Sequence, residues 1–253
     1  MSISSLTDTK TAASSLTNTA TQTSSAAAQA AASANPAIRA MGKAAERLQT
    51  QLDTTSAQLS SFGKLKSSVS EAQLAAKALG GFTASSSSSD VRTALSRFLV
   101  GLNTAVATAG ATAALPGSAL SESTSATRVS RDLTRSVTSD TATLDAIKKL
   151  GFKLQTDGSF AWDGAKFDAA YKADPSAVRA TLAKLGQAVN TVATQELATN
   201  AKVSGSLASL NLRATTLKAQ QTSMLAVVEK LNSANISGGS TGYINYGVSA
   251  YRW

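Results

Sequence analysis

The sequence has no cysteine and no histidine among its 253 residues. These absences exclude Cys/His metal sites, thiol catalysis and the Ser-His-Asp arrangement. They also exclude disulfides, so stability has to come from packing or from association with other chains. Proline is scarce at 3 and aromatics make up only 5%. A chain so poor in helix breakers allows long uninterrupted helices. No run of about 20 apolar residues is present, so no segment is expected to span a membrane. No phosphate-cradling loop or paired carboxylates stand out, so no catalysis and no cofactor are expected.

What the chain does have is alanine, leucine and valine in helical rhythm. Hydrophobic residues reach 43%, a figure inflated by alanine. Alanine adds little buried area, so thin helical layers suit this composition better than a thick globule. The net charge is +9. A basic nucleic-acid-associated helical protein is one alternative that this charge raises. The basic residues are scattered, however, and no aromatic side chains interleave with them as a stacking platform requires. No nucleic-acid partner is expected.

Along the chain, residues 1–35 are almost entirely Ser, Thr, Ala, Gln and Asn with few charges, a composition expected to be disordered in isolation and suited to an unfolded export signal. Pro36 opens a different regime. Over 38–79, Met41, Leu48, Leu52, Leu59, Phe62, Val69, Ala76 and Leu79 recur at steps of three, four or seven, which predicts an amphipathic helix stopped by Gly80-Gly81. A serine-rich loop over 83–89 follows, and Asp90 is expected to cap a helix from Val91 to about Ala109, ended near Gly110. Because this link is only about ten residues, the two helices are expected to lie together, antiparallel. Residues 118–150 read as one further helix.

A short hairpin near 152–162 comes next. Phe152 and Leu154 alternate with polar residues, Asp157-Gly158 turns the chain, and Phe160 and Trp162 alternate back. Asp163 and Asp174-Pro175 are placed to cap the helices after it. Asp157, Asp163 and Asp168 do not have the spacing of a calcium loop and read as turn and cap residues. A last helix is expected from Pro175 to about Leu231. Its stripe runs through Val203, Leu207, Leu210, Ala214, Leu217, Gln221, Met224, Val228 and Leu231, alternating by four and three as in a coiled coil. Upstream the alternation passes through Glu196 and Thr199 and stutters, which locally unwinds a supercoil. Leu212, Leu225 and Val227 lie off this stripe, so the helix is expected to meet more than one neighbour.

The expected architecture is therefore mostly α: an elongated helical bundle whose terminal helices (36–81 and 179–231) pair as a coiled coil. Between them lies a helical subdomain over 90–178 carrying one small β-hairpin. The expected assembly seam comprises Leu48, Leu52, Leu59, Phe62, Val69, Val203, Leu207, Leu210, Leu217, Met224, Val228 and Leu231. Residues 232–253 are expected to form a flexible, Gly/Ser-rich tail in which Tyr243, Tyr246, Tyr251 and Trp253 are candidate docking residues for a partner, the alternative being a tail that folds back on the chain's own helices.

The serial order of segments resembles that of the flagellar filament cap family, the second of the hook-associated proteins. Glu46-Arg47-Leu48 through Leu79 is similar to that family's N-terminal helix, and Phe98-Leu99-Val100-Gly101-Leu102-Asn103 to its "phe-val-x-x-tyr-asn" helix. Leu115-Pro116-Gly117-Ser118-Ala119-Leu120 resembles the "leu-x-gly-asp" segment. Leu144-Asp145-Ala146-Ile147, Asp157-Gly158-Ser159-Phe160, Lys166-Phe167-Asp168-Ala169-Ala170 and Ala173-Asp174-Pro175 follow in the family's order, as does Gln220-Gln221-Thr222-Ser223-Met224. The resemblance covers about residues 40–231. Only the ten residues from Gly80 to Ser89 stand where the family carries a large β-rich insertion, so this would be a miniature member.

The resemblance implies an extracellular flagellar protein exported by a type III pathway. It implies self-association into a ring or filament, a pentamer in the family's manner. The partners it implies are flagellin, hook-filament junction proteins and an export chaperone. A subunit of another extracellular filament, or of a secretion-apparatus tip, is the alternative within the same structural class.

Overall fold

The computed structural model describes residues 30, 35–199 and 201–238. Elements follow in the order α1 (Pro36–Leu79), α2 (Ser88–Ala113), α3 (Leu120–Thr138), α4 (Thr141–Lys149), β1 (Phe152–Leu154), β2 (Phe160–Trp162), α5 (Gly164–Ala173), α6 (Pro175–Leu197) and α7 (Lys202–Gly238). The fold is mostly α with one two-stranded antiparallel sheet. The described residues fall into two compact units. One is Thr54–Leu212; the other combines residues up to Asp53 with those from Arg213 onward.

In the 54–212 unit, α1 supplies Leu59, Phe62, Leu65, Val69, Ala72, Ala76 and Leu79 to one continuous core. Helix α2 runs antiparallel to it. Thr112 lies level with Ser61, its hydroxyl donating to the Ser61 carbonyl, while Gly101 lies level with Ala72. As the residue number rises on one helix it falls on the other. No separate domain stands between α1 and α2, because the link is a short turn. Helix α6 also packs antiparallel on α1: Gly186 sits against Ala76 and Gln73 donates to Thr194 at 2.7 Å. Helix α3 packs against α2 and α6.

The hairpin register pairs Phe152 with Trp162 and Leu154 with Phe160. Gly158, at φ +80°, makes the turn, a conformation that favours glycine. Asn103 of α2 fastens the hairpin from the side. Its amide donates to the Phe160 carbonyl and accepts from the Phe160 N–H, both at 2.8 Å. Trp162 then meets Phe167 edge to face, with ring centroids 5.2 Å apart.

The helix ends explain where the sequence expectations hold and where they need correction. Asp163 accepts from the N–H groups of Ala165 and Lys166, and Asp174 from that of Ala177, so both expected caps form. Asn35 caps α1 with Pro36 behind it, its side chain accepting from Ala37 N–H at 2.9 Å. At α2 the cap is Ser87 rather than Asp90. The Ser87 hydroxyl accepts from the Asp90 N–H and donates to its carboxylate, so the helix starts a turn earlier. That helix also continues through Gly110 to Ala113. The single helix expected over 118–150 is two, because the Asp140 carboxylate accepts the N–H groups of Ala142 and Thr143 and starts α4.

The last helix is likewise broken. Helix α6 ends at Leu197, Ala198 is extended at ψ 151°, and α7 begins at Lys202. The break falls where consecutive four-residue steps turn the apolar stripe away from its earlier face, so one straight helix could not bury both halves. Of the polar segment 1–35, Ala30 is helical and buried. The rest of that segment, apart from Asn35, lies outside the described residues.

At Gly186 helix α6 lies directly against the α1 backbone. A Cβ there would stand 2.3 Å from the Ala76 carbonyl oxygen and 3.0 Å from the Leu79 Cβ. Gly186→Ala is therefore expected to destabilise the protein by about 1–3 kcal/mol, against the usual gain for alanine in a helix interior. Thermal or urea unfolding of the two forms checks this, and an equally stable or more stable alanine form would contradict it.

Candidate functional site

The stripe singled out in the sequence is buried within the chain. In the 54–212 unit, Leu59, Phe62, Val69, Val203 and Leu210 belong to the main core, with Leu207 packed against it. In the other unit Leu52 packs with Ala214 and Leu217, beside Leu48. Further along, Val228 packs with Ala30 and Ile38, beside Met41 and Leu231. Helices α1 and α7 are antiparallel there, since low numbers on one meet high numbers on the other. Met224 is half-buried. Two helices of one chain therefore cover for each other the residues expected to form an assembly seam. Tyr243, Tyr246, Tyr251 and Trp253 lie outside the described residues.

One polar layer interrupts this pairing. Gln221, the polar member of the α7 stripe, donates through Nε2 to Gln49 Oε1 at 2.7 Å, and Gln49 donates in turn to Asp53 at 2.7 Å. Both glutamines are buried. A buried polar pair fixes the register of two helices, because any slip strands an amide in an apolar layer. The sequence marked Gln221 as an exception in the stripe but gave no reason to single out Gln49. Gln221→Leu alone, which removes a partner of Gln49, is expected to cost about 1–3 kcal/mol. The double substitution with Gln49→Leu should recover most of that loss, as a double-mutant cycle in urea would show. Additive losses would mean that the pair is not coupled.

A second polar feature lies at the α6–α7 break. Arg128, Asp132 and Arg135 of α3 face Val192, Gln195 and Glu196 of α6 and Lys202 of α7 across a cleft of about 660 Å3. Asp132 accepts from Arg128 at 3.1 Å and lies 3.6 Å from Arg131. Glu196 is only 8% exposed. Burial, chiefly, and then the Asp132 carboxylate push its pKa above the ordinary value, while Arg128 pulls the other way. Such a group stabilises the fold while protonated, and that contribution is lost as pH rises through its elevated folded-state pKa. Glu196→Gln is expected to be more stable than the native protein at neutral pH, with the advantage shrinking as pH falls toward and below 4.5. Denaturation midpoints across pH 4–8 test this; a neutral-pH loss on substitution would contradict it.

Two concavities bear exposed apolar side chains. At the hairpin, Leu144, Ile147, Phe152, Leu154 and Phe160 line a pocket of about 510 Å3 bordered by Lys148 and Lys153. Leu154 is 51% exposed. On the α1–α2 side, Leu74, Ala75 and Ala78 face Asp90, Thr93, Ala94 and Arg97 across a shallow groove, with Leu74 63% exposed. Among the described residues no cluster of three or more acidic residues could hold a metal, and no helix is long and apolar enough to cross a membrane.

No protein-family model, curated protein or solved structure matches this chain.

Proposed function

We propose that this protein is an exported structural subunit of the flagellar cap type, which associates with copies of itself at or along the filament and supports flagellin assembly. The observation that carries the reading is the serial order of the resembling segments, and these segments also build the core. Leu59 to Leu79 form the α1 side, Phe98 to Asn103 supply the centre of α2 and the amide that holds the hairpin, and Ile147 to Phe167 form the hairpin layer. Within this reading no bond is made or broken. The protein acts by shape, and its partners are copies of the chain, flagellin and hook-filament junction proteins, with a chaperone during export.

The burial of the terminal stripe bears on mechanism. Because α1 and α7 cover each other's apolar residues within one chain, contacts between subunits use other faces. Electron microscopy with a specific antibody on intact and sheared filaments tests the reading. Label at the filament tip or along its length is expected. Label confined to the cell interior, with a salt-sensitive shift of nucleic acid by the purified protein, would replace it with the nucleic-acid alternative.

A further inference from the structure

We propose that the last turn of α6 is a latch worked by a single proton: while the Glu196 carboxyl holds its proton the turn stays packed on α3, and when the proton is lost the turn comes free.

The geometry begins with where the sequence puts Glu196. Val189, Ala193 and Glu196 recur at steps of four and three, so they share one face of α6, and all three are buried. At the Glu196 end this face meets α3, whose Asp132 and Arg128 are the charged groups acting on the carboxyl. That carboxyl makes no hydrogen bond or ion pair with any described residue. Arg128 is bound instead to Asp132 at 3.1 Å, and Asp132 also has Arg131 at 3.6 Å.

Three features of this position favour the neutral carboxyl. Burial removes water from the charged form, and Asp132 adds a like charge. Glu196 also stands in the last turn of α6, where no basic side chain offsets the negative end of the helix dipole. Arg128 opposes these effects without outweighing them.

Relief for the ionised form is close by. Arg135 of α3 and Lys202 of α7 border the cleft beside Glu196, and neither makes an ion pair with a described residue. Together with Arg128 and Asp132 they complete the charged lining of the cleft, to which α1 and α2 contribute nothing. Rotation of the side chain about its own bonds leaves its Cβ in the buried face. Movement of the turn frees it, and little holds the turn back: Leu197 is the end of α6 and Ala198 is already extended. Fraying a helix end breaks few hydrogen bonds, which is why local opening starts there. Wherever the open form has lost its proton and the closed form has kept it, each pH unit favours opening about tenfold. That window runs upward from the ordinary value of 4.5 to the raised value of the closed form, and above it opening no longer depends on pH.

Amide hydrogen exchange of the full chain from about pH 4 to 8, corrected for the intrinsic pH dependence of exchange, tests the latch. Protection over 193–197 is expected to fall with rising pH by up to about tenfold per unit and then level off, while that of 182–189 stays constant. Glu196→Gln keeps a neutral side chain of the same shape at every pH, so its protection over 193–197 should be flat. Asp132→Asn removes the like charge and should move the fall to lower pH, with circular dichroism confirming that each variant folds. Protection that does not fall in the native chain, or a fall that persists in Glu196→Gln, would overturn the latch. So would a fall shared by 182–189, which marks unfolding of the whole unit, or one that Asp132→Asn leaves where it was.

Discussion

The close approach of two helices to the backbone of α1 is the constraint on which the 54–212 unit depends. Ala72 and Ala76 present almost no side chain, and Gly101 of α2 and Gly186 of α6 present none, so both helices reach α1 at backbone distance. Leucines and phenylalanines on either side of these points can then interlock around α1, as the burial of Phe62, Phe98, Leu102, Leu182 and Leu185 shows. Even an alanine at Gly186 would force α6 away from α1 and open space beside these side chains, whereas at Gly101 a Cβ would only reach ordinary contact with Ala72, at 3.4 Å. The alanine-rich composition is thus the condition for a core that is thin yet densely packed.

Local chemistry was legible in the sequence and long-range chemistry was not. Asp157-Gly158, Asp163 and Asp174-Pro175 act within three or four residues of themselves, and each does what its type and spacing predict. Ser87 displaced Asp90 as a cap because both have capping side chains, and only the backbone geometry decides which one faces outward. Asp140 was hidden inside a polar stretch that also fits a helix, so the start of α4 left no mark in the periodicity. The stutter near Glu196 did mark the α6–α7 break, though as an interruption of a supercoil rather than the end of a helix. Periodicity identified the stripe that includes Leu52 and Leu217. It could not tell whether the matching stripe belongs to the same chain, because apolar spacing is identical in either case.

The candidate sites divide along the same line. Gln221 was visible as a polar residue in an apolar series, whereas Gln49 became significant only once the two helices were aligned antiparallel. Asn103 was visible in a resembling segment, but its task of pairing with both backbone groups of Phe160 depends on a contact spanning 57 positions. The raised pKa of Glu196 arises from burial and from Asp132 on another helix, and neither can be read from its neighbours in sequence.

How the chain uses its large apolar residues limits how it can associate. Most of the described leucines, phenylalanines and valines lie in its own cores, and the large exposed ones are Leu74, Val100, Leu120, Leu154, Leu212 and Val227. An obligate interface of the kind that resembles a divided domain core needs many more than these. A contact between copies made by these described residues alone would rest on one or two anchors, and a contact of that size is weak alone. In general a closed ring offsets such weakness, because each subunit is held at two places and leaves only if both contacts break.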